Sequence, residues 1–177
     1  MVAIPRTRRL PTRDELAVWR DFFETTETLR AVLAGRLHDD TGLSTGDYSV
    51  LLALSEATEH RLRSSVLATA VGWERSRLSH HLGRMERRGL IRRENCTGDN
   101  RGQEAVLEPA GADAFRGATV PHLTAVRELF VDALTPQQLA AAGDLAATLR
   151  THLTAVTSES PDLVPMPQAL STPEPPG

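Results

Sequence analysis

Lysine is missing from this sequence: all 20 basic residues of the 177-residue chain are arginine. Asparagine and isoleucine occur twice each while alanine is abundant, the pattern of a GC-rich genome. There is a chemical consequence too, because every cation is then a planar fork of donors suited to phosphate or guanine. Cysteine is nearly as scarce. Cys96 stands alone, which excludes an intrachain disulfide or a cysteine-based zinc site and points to a reducing cytoplasm. Only seven residues are aromatic, so the core has to be aliphatic. No apolar run approaches a membrane span, the longest being Val50-Leu51-Leu52-Ala53-Leu54, and the arginine-bearing N-terminus lacks the apolar segment of a signal peptide. The G-x-S-x-G, phosphate-loop, dinucleotide-glycine and H-E-x-x-H patterns are absent, and Ser79 beside His80 makes no catalytic pair. His80 and His81 point about 100° apart on a helix and do not readily share an ion. No enzyme, cofactor or metal is expected.

What is present is organised. Residues 1–12 carry Pro5, Arg6, Arg8, Arg9 and Pro11 with no period and read as a flexible arm. Residues 158–177 hold six prolines and read as a disordered tail. From Asp14 to His38 the spacing is helical, with Leu16, Trp19, Phe23, Thr26, Leu33 and Leu37 on one side. Ser44 and Asp47 form an S-x-x-D capping box for a second helix ending near Ala57. Glu59 to Arg63 reads as a strand stub, and Ser65 as the cap of a two-turn helix stopped by Gly72. A helix follows from Arg75 to Arg88. Its inward face is Leu78, His81, Leu82 and Met85; its outward face is Ser76, His80, Arg84 and Arg87, with Arg77 at the edge. Glu74 stands where a capping residue is usual, which predicts a frayed or late start, and Gly83 interrupts the helix interior. After Gly89 a hairpin is expected, from Leu90-Ile91-Arg92 through the turn-rich stretch Asn95–Gly102 to Ala105-Val106-Leu107. Pro109 to about Asp132 is helical with a kink expected at Pro121, and Thr135-Pro136-Gln137-Gln138 starts a last helix.

The net charge of −3, taken as an average, argues against a nucleic-acid binder. Its distribution argues the other way. Residues 60–101 hold ten arginines and four acids, a charge of +6, and the rest of the chain sums to −9. That basic segment has the order short helix, turn, helix, hairpin. This is a winged helix-turn-helix, whose second helix enters the major groove. The fold class is therefore mainly α with a small β-hairpin wing.

At residues 43–111 the chain resembles the DNA-binding core of the MarR family of transcriptional regulators. The likeness runs through Leu43-Ser44, Tyr48-x-Val50-Leu51, Leu67-Ala68, Ser76-Arg77-Leu78-Ser79 and Leu82-x-Arg84-Met85-Glu86-Arg87-Arg88-Gly89-Leu90-Ile91. It closes with the wing motif Asp99-x-Arg101-Gly102, then Val106-Leu107 and Gly111. The resemblance implies a homodimer whose base is built from residues 13–42 and 109–157, with residues 43–108 as the DNA-binding lobe. It implies a pseudopalindromic operator on double-stranded DNA, with Arg101 in the minor groove and Asp99 orienting an arginine. It also implies a small aromatic or phenolic effector bound between lobe and base, and so a ligand-relieved repressor. The candidate DNA contacts are Ser65, Arg75, Ser76, Arg77, Ser79, His80, Arg84, Asp99 and Arg101. Trp19, Phe23 and Tyr48 are candidates for the ligand, although an aromatic stripe at helical spacing serves equally as core or dimer packing. Cys96 is either an inert thiol or a redox sensor near arginines. The rival reading is an all-helical protein-interaction module that leaves its arginines solvated.

Overall fold

The computed structural model describes residues 10–95 and 102–159. Most of the expected arm (residues 1–9), most of the expected tail (160–177), and the hairpin tip with Cys96, Asp99 and Arg101 lie outside the described residues.

The first helix, α1, spans Arg13–Thr41. It starts one residue before the periodicity suggests because Thr12 and Glu15 form a capping box, with the Glu15 carboxylate accepting from the Thr12 N–H at 2.6 Å. Thr12 is thus part of the helix start and not of an arm. Ser44 caps α2 (Thr45–Glu56) through the expected box with Asp47. A single 3₁₀ turn at Thr58–His60 places Glu59 and His60 at positive φ, so that the strand β1 is only Arg61–Arg63. The expected stub is two residues shorter for that reason.

The helix α3 begins at Ser64 and runs to Val71, which moves Ser65 from the cap to the second helical position. Arg63 is still extended, paired with Glu104 in the sheet, and leads directly into the first turn with no side-chain cap. α4 covers Arg75–Arg87 and starts on time despite Glu74, which is extended and makes no capping hydrogen bond. Its burial follows the expected face: Leu78, His81, Leu82 and Met85 are inside. Gly89 ends the helix with φ +71°, a left-handed conformation that a side chain would strain.

The strands β2 (Ile91–Asn95) and β3 (Gln103–Leu107) pair antiparallel, Ile91 opposite Leu107 and Arg93 opposite Ala105. β1 joins the other edge of β3, giving the order β1-β3-β2. Gly111, on α5 (Pro109–Val126), lets that helix close on the hairpin, for a Cβ there would overlap the Leu90 carbonyl oxygen. α5 continues through Pro121, and the irregularity comes later, as a π-helical turn at Arg127–Val131. Thr135 and Gln138 box the start of α6 (Pro136–Glu159) as expected, Gln138 Oε1 accepting from the Thr135 N–H at 2.9 Å.

The core is aliphatic and sits in the lobe. Leu43, Val50, Leu51, Leu54, Leu67, Leu78, Leu82, Met85 and Ile91 are fully buried, each burial contributing about 1.5–3 kcal/mol. Leu37 of α1 and Ala118 of α5 reach the same cluster. The N-terminal half of α1 and the apolar stripe of α6 do not. Trp19 is 57% exposed, and Phe22, Phe23, Leu145 and Leu149 also face solvent.

Candidate nucleic-acid interface

α4 is held by what lies behind it. Leu78, Leu82 and Met85 insert into the lobe core, and this leaves Ser76, Arg77, Ser79, His80, Arg84 and Arg87 exposed along the other side. No large apolar residue interrupts that exposed side. Trp73, in the turn before the helix, carries the Arg77 guanidinium 4.4 Å above its ring, a cation–π contact across one helical turn. Arg84 donates to His81 Nδ1 at 2.8 Å.

Behind His81 is a buried charge. Asp47 is 4% exposed. Its carboxylate accepts from the Ser44 N–H at 3.0 Å and from Arg88 at 2.7 Å, and it lies 3.0 Å from His81 Nε2, with less than full hydrogen-bond alignment. Burial alone would push its pKa up. His81, the Ser44 backbone, Arg88 and the Ser44 hydroxyl together outweigh that and hold the carboxyl well below the usual range. Arg88 also donates to the Gly42 carbonyl, which ties the C-terminus of α4 to the cap that ends α1. The same α4 is pinned to the hairpin by Glu86, which accepts from the Arg93 backbone and guanidinium. The Arg93 hydrogen bond is also the main reason the Glu86 carboxyl sits below its ordinary pKa.

Eight of the ten arginines in residues 43–108 therefore divide into two sets. Arg92 bridges Glu94 and Glu108, Arg61 lies within 3.6 Å of Glu94 and Glu104, Arg88 pairs with Asp47 and Arg93 with Glu86. Those arginines are neutralised by the lobe's own carboxylates. Among the described residues, Arg75, Arg77, Arg84 and Arg87 have no carboxylate partner. Across residues 43–108 the ten arginines face nine acids, a net charge of only +1. The segment charge of +6 depended on a window that began after Asp47, Glu56 and Glu59 and stopped before Glu104 and Glu108. The attractive surface is a matter of which face, and α4 supplies it.

Beside α4 the structure opens a cleft of about 560 Å³ between the start of α3, α4 and the hairpin. Arg63, Ser65, Arg75, Ser79 and Arg93 line it. It brings together three of the expected DNA contacts, Ser65, Arg75 and Ser79, with Arg63 and Arg93. Ser76, Arg77, His80 and Arg84 continue the surface along α4. Asp99 and Arg101 belong to the segment outside the described residues.

The three candidate ligand residues do not form one cluster within the chain. Trp19 and Phe23 touch each other on α1, with ring centroids 5.1 Å apart, and both are exposed. Tyr48 is buried in the seam between α2 and α5, against Phe115 and His122. Burial pushes its hydroxyl pKa up, against the Thr119 hydrogen bond, and burial lowers that of His122. Sequence reasoning passed over Trp73, although its place four residues before Arg77 on a turn into α4 was a usable signal. It identified Asp47 only as a cap. Among the described residues, no cluster of histidine, cysteine, aspartate and glutamate could hold a metal, and no helix is long and apolar enough to cross a membrane.

Comparison with known proteins agrees with this geometry. The model of the MarR family matches residues 41–102. Sco3205, a MarR family transcriptional regulator from Streptomyces coelicolor solved in complex with DNA, is 36% identical, with a TM-score of 0.76 over 82% of this chain and 91% of that one. AbsC, a MarR family transcriptional regulator from the same organism, is 37% identical, with a TM-score of 0.71 over 83% of this chain and 99% of that one. The organohalide-sensing regulator RdhR-CbdbA1625, bound to 2,4-dichlorophenol, shares the fold at 16% identity, with a TM-score of 0.74 over 96% of this chain and 99% of that one. No curated protein matches the chain.

Proposed function

The chain belongs to the MarR family of DNA-binding transcriptional regulators, and from that premise we propose that it binds a pseudopalindromic operator as a homodimer and represses until a small ligand releases it. The observation that carries the reading is the face of α4: four arginines without carboxylate partners, beside Ser76, Ser79 and His80, on a helix whose other side is locked into the core. Such a helix enters a major groove as a rigid body. Ser76, Arg77 and His80 lie where base edges would be read, and Arg75, Arg84 and Ser65 where phosphates would be held. Asp99 and Arg101 keep the wing roles that the family resemblance implies. The protein-interaction reading is not favoured, since it gives this cationic face no partner. No chemical step is assigned to the chain.

The dimer base is residues 13–42 and 109–157, and the lobe is 43–108. The exposed apolar side chains on α1 and α6 support this, being more than a lone soluble chain usually leaves in water. The two α4 helices would then stand about 34 Å apart, one duplex turn. The effector is a small aromatic or phenolic molecule near Tyr48, with Trp19 or Phe23 contributed across the dimer. RdhR-CbdbA1625 with 2,4-dichlorophenol bound is the relative that supports this chemistry. A ligand that favours a different spacing of the lobes shifts the population away from the DNA-binding form.

Selection from a random-sequence duplex library with purified protein tests the reading. The expected result is an enriched inverted repeat with half-sites one turn apart, bound by two chains with steep salt dependence. Absence of any enriched sequence would overturn it.

A further inference from the structure

We propose that His81, anchored on the buried Asp47, is the positioning residue that sets where Arg84 stands on the DNA-facing side of α4. The inference rests on the DNA-binding reading above and assigns a role to a residue that faces away from DNA. The ring is fixed on three sides. Its edge meets Trp73, with centroids 5.0 Å apart and planes at 79°. Gly46 of α2 lies against it so closely that a Cβ would stand 3.0 Å from His81 Cε1. Its two nitrogens face opposite charges on two helices, Asp47 Oδ1 of α2 at 3.0 Å from Nε2 and the Arg84 guanidinium of α4 at 2.8 Å from Nδ1.

The guanidinium can only donate, so Nδ1 supplies a lone pair and the ring proton sits on Nε2, toward the carboxylate. Asp47 stays in place without His81, because Ser44 and Arg88 hold it independently. The result is a carboxylate–imidazole–guanidinium relay running from the lobe interior to its surface. Arg84 is a long side chain with large rotamer freedom. Holding it before DNA arrives removes ordering that binding would otherwise have to supply.

The test is a mutant cycle on the tightest duplex from the selection, with a scrambled duplex beside it and thermal melting of each variant. His81→Leu removes the acceptor and is expected to weaken binding roughly three- to tenfold. His81→Asn puts a carbonyl oxygen close to the Nδ1 position and is expected to recover most of that loss. In the Arg84→Ala background, His81→Leu is expected to have no further effect, because its influence passes through Arg84. Independent, additive losses would overturn the proposal, as would wild-type affinity in His81→Leu. If His81→Leu melts below the assay temperature, His81→Gln replaces it in the cycle. Gln keeps a donor toward Asp47 and no acceptor at Nδ1, and the same coupling is expected. Failure of the wild type to bind either duplex would instead sink the DNA-binding reading.

Discussion

Asp47 shows what a single buried charge can do when its partners come from two helices. Its pKa is depressed in the folded protein, so the stability it contributes is fully present above the ordinary carboxylate range of about 4 and is lost as pH falls toward the depressed value. Asp47→Asn is expected to cost roughly 3 kcal/mol at neutral pH, because Arg88 loses its carboxylate and His81 its anchor. In urea titrations the gap between wild type and variant should narrow as pH drops from about 5 to about 3. A gap independent of pH would mean that folding does not depress the Asp47 carboxyl's pKa. A second residue-scale prediction concerns the wing. Arg101→Ala should leave the oligomeric state unchanged while reducing operator affinity by about tenfold or more, as read by fluorescence anisotropy. Normal affinity would remove Arg101 from the interface.

α4 is an element with one compromised position and one strong anchor. Gly83 lies mid-helix, and a Cβ there would meet only Arg87, at an ordinary 3.9 Å. Gly83→Ala should therefore stabilise the protein by about 1 kcal/mol in denaturant unfolding, through helix propensity alone. If the same variant loses operator affinity, the glycine is serving close approach of DNA to the helix. Gly111 is the opposite case. Its missing side chain is what allows α5 to meet the Leu90 carbonyl, so Gly111→Ala should destabilise by roughly 1–3 kcal/mol through forced displacement of helix from hairpin. A variant as stable as wild type would show that this junction is looser than its geometry. The hairpin itself is braced by arginine–glutamate pairs that are exposed and individually contribute little. Their larger effect is to take Arg61 and Arg92 out of competition for phosphate.

At the scale of the whole molecule, the lobe has a closed aliphatic core while two long helices leave their apolar sides uncovered. Leu139, Leu145, Leu149 and Leu153 fall on one side of α6 and all are exposed. A double variant, Leu145→Glu with Leu149→Glu, should convert a dimer to monomers in sedimentation velocity and abolish tight operator binding, while the lobe stays folded by circular dichroism. A dimer surviving both substitutions would place the interface elsewhere. The chain's overall acidity fits this arrangement. With the lobe near neutral, the acidic excess lies on the helices proposed as the base, which keeps them from DNA and leaves α4 as the favoured approach.

Local chemistry wrote much of this into the sequence. The inward residues of α4, the Ser44 and Thr135 caps, the glycine after α4 and the two main strands follow from helical period, capping and turn preferences, which act within a few residues. Other features depended on tertiary structure because they join residues far apart in the chain. Asp47 and Arg88 are separated by 41 positions, and nothing local distinguishes that aspartate from an ordinary cap. β1 exists only because β3 lies beside it, and its pairing moved the start of α3 back to Ser64. The charge reading changed most. Counting along the chain found a basic segment of ten arginines, whereas folding paired Arg61, Arg88, Arg92 and Arg93 with carboxylates and left a cationic face on α4. Which arginines remain available to a phosphate is decided by through-space proximity to carboxylates, a quantity that no linear window measures.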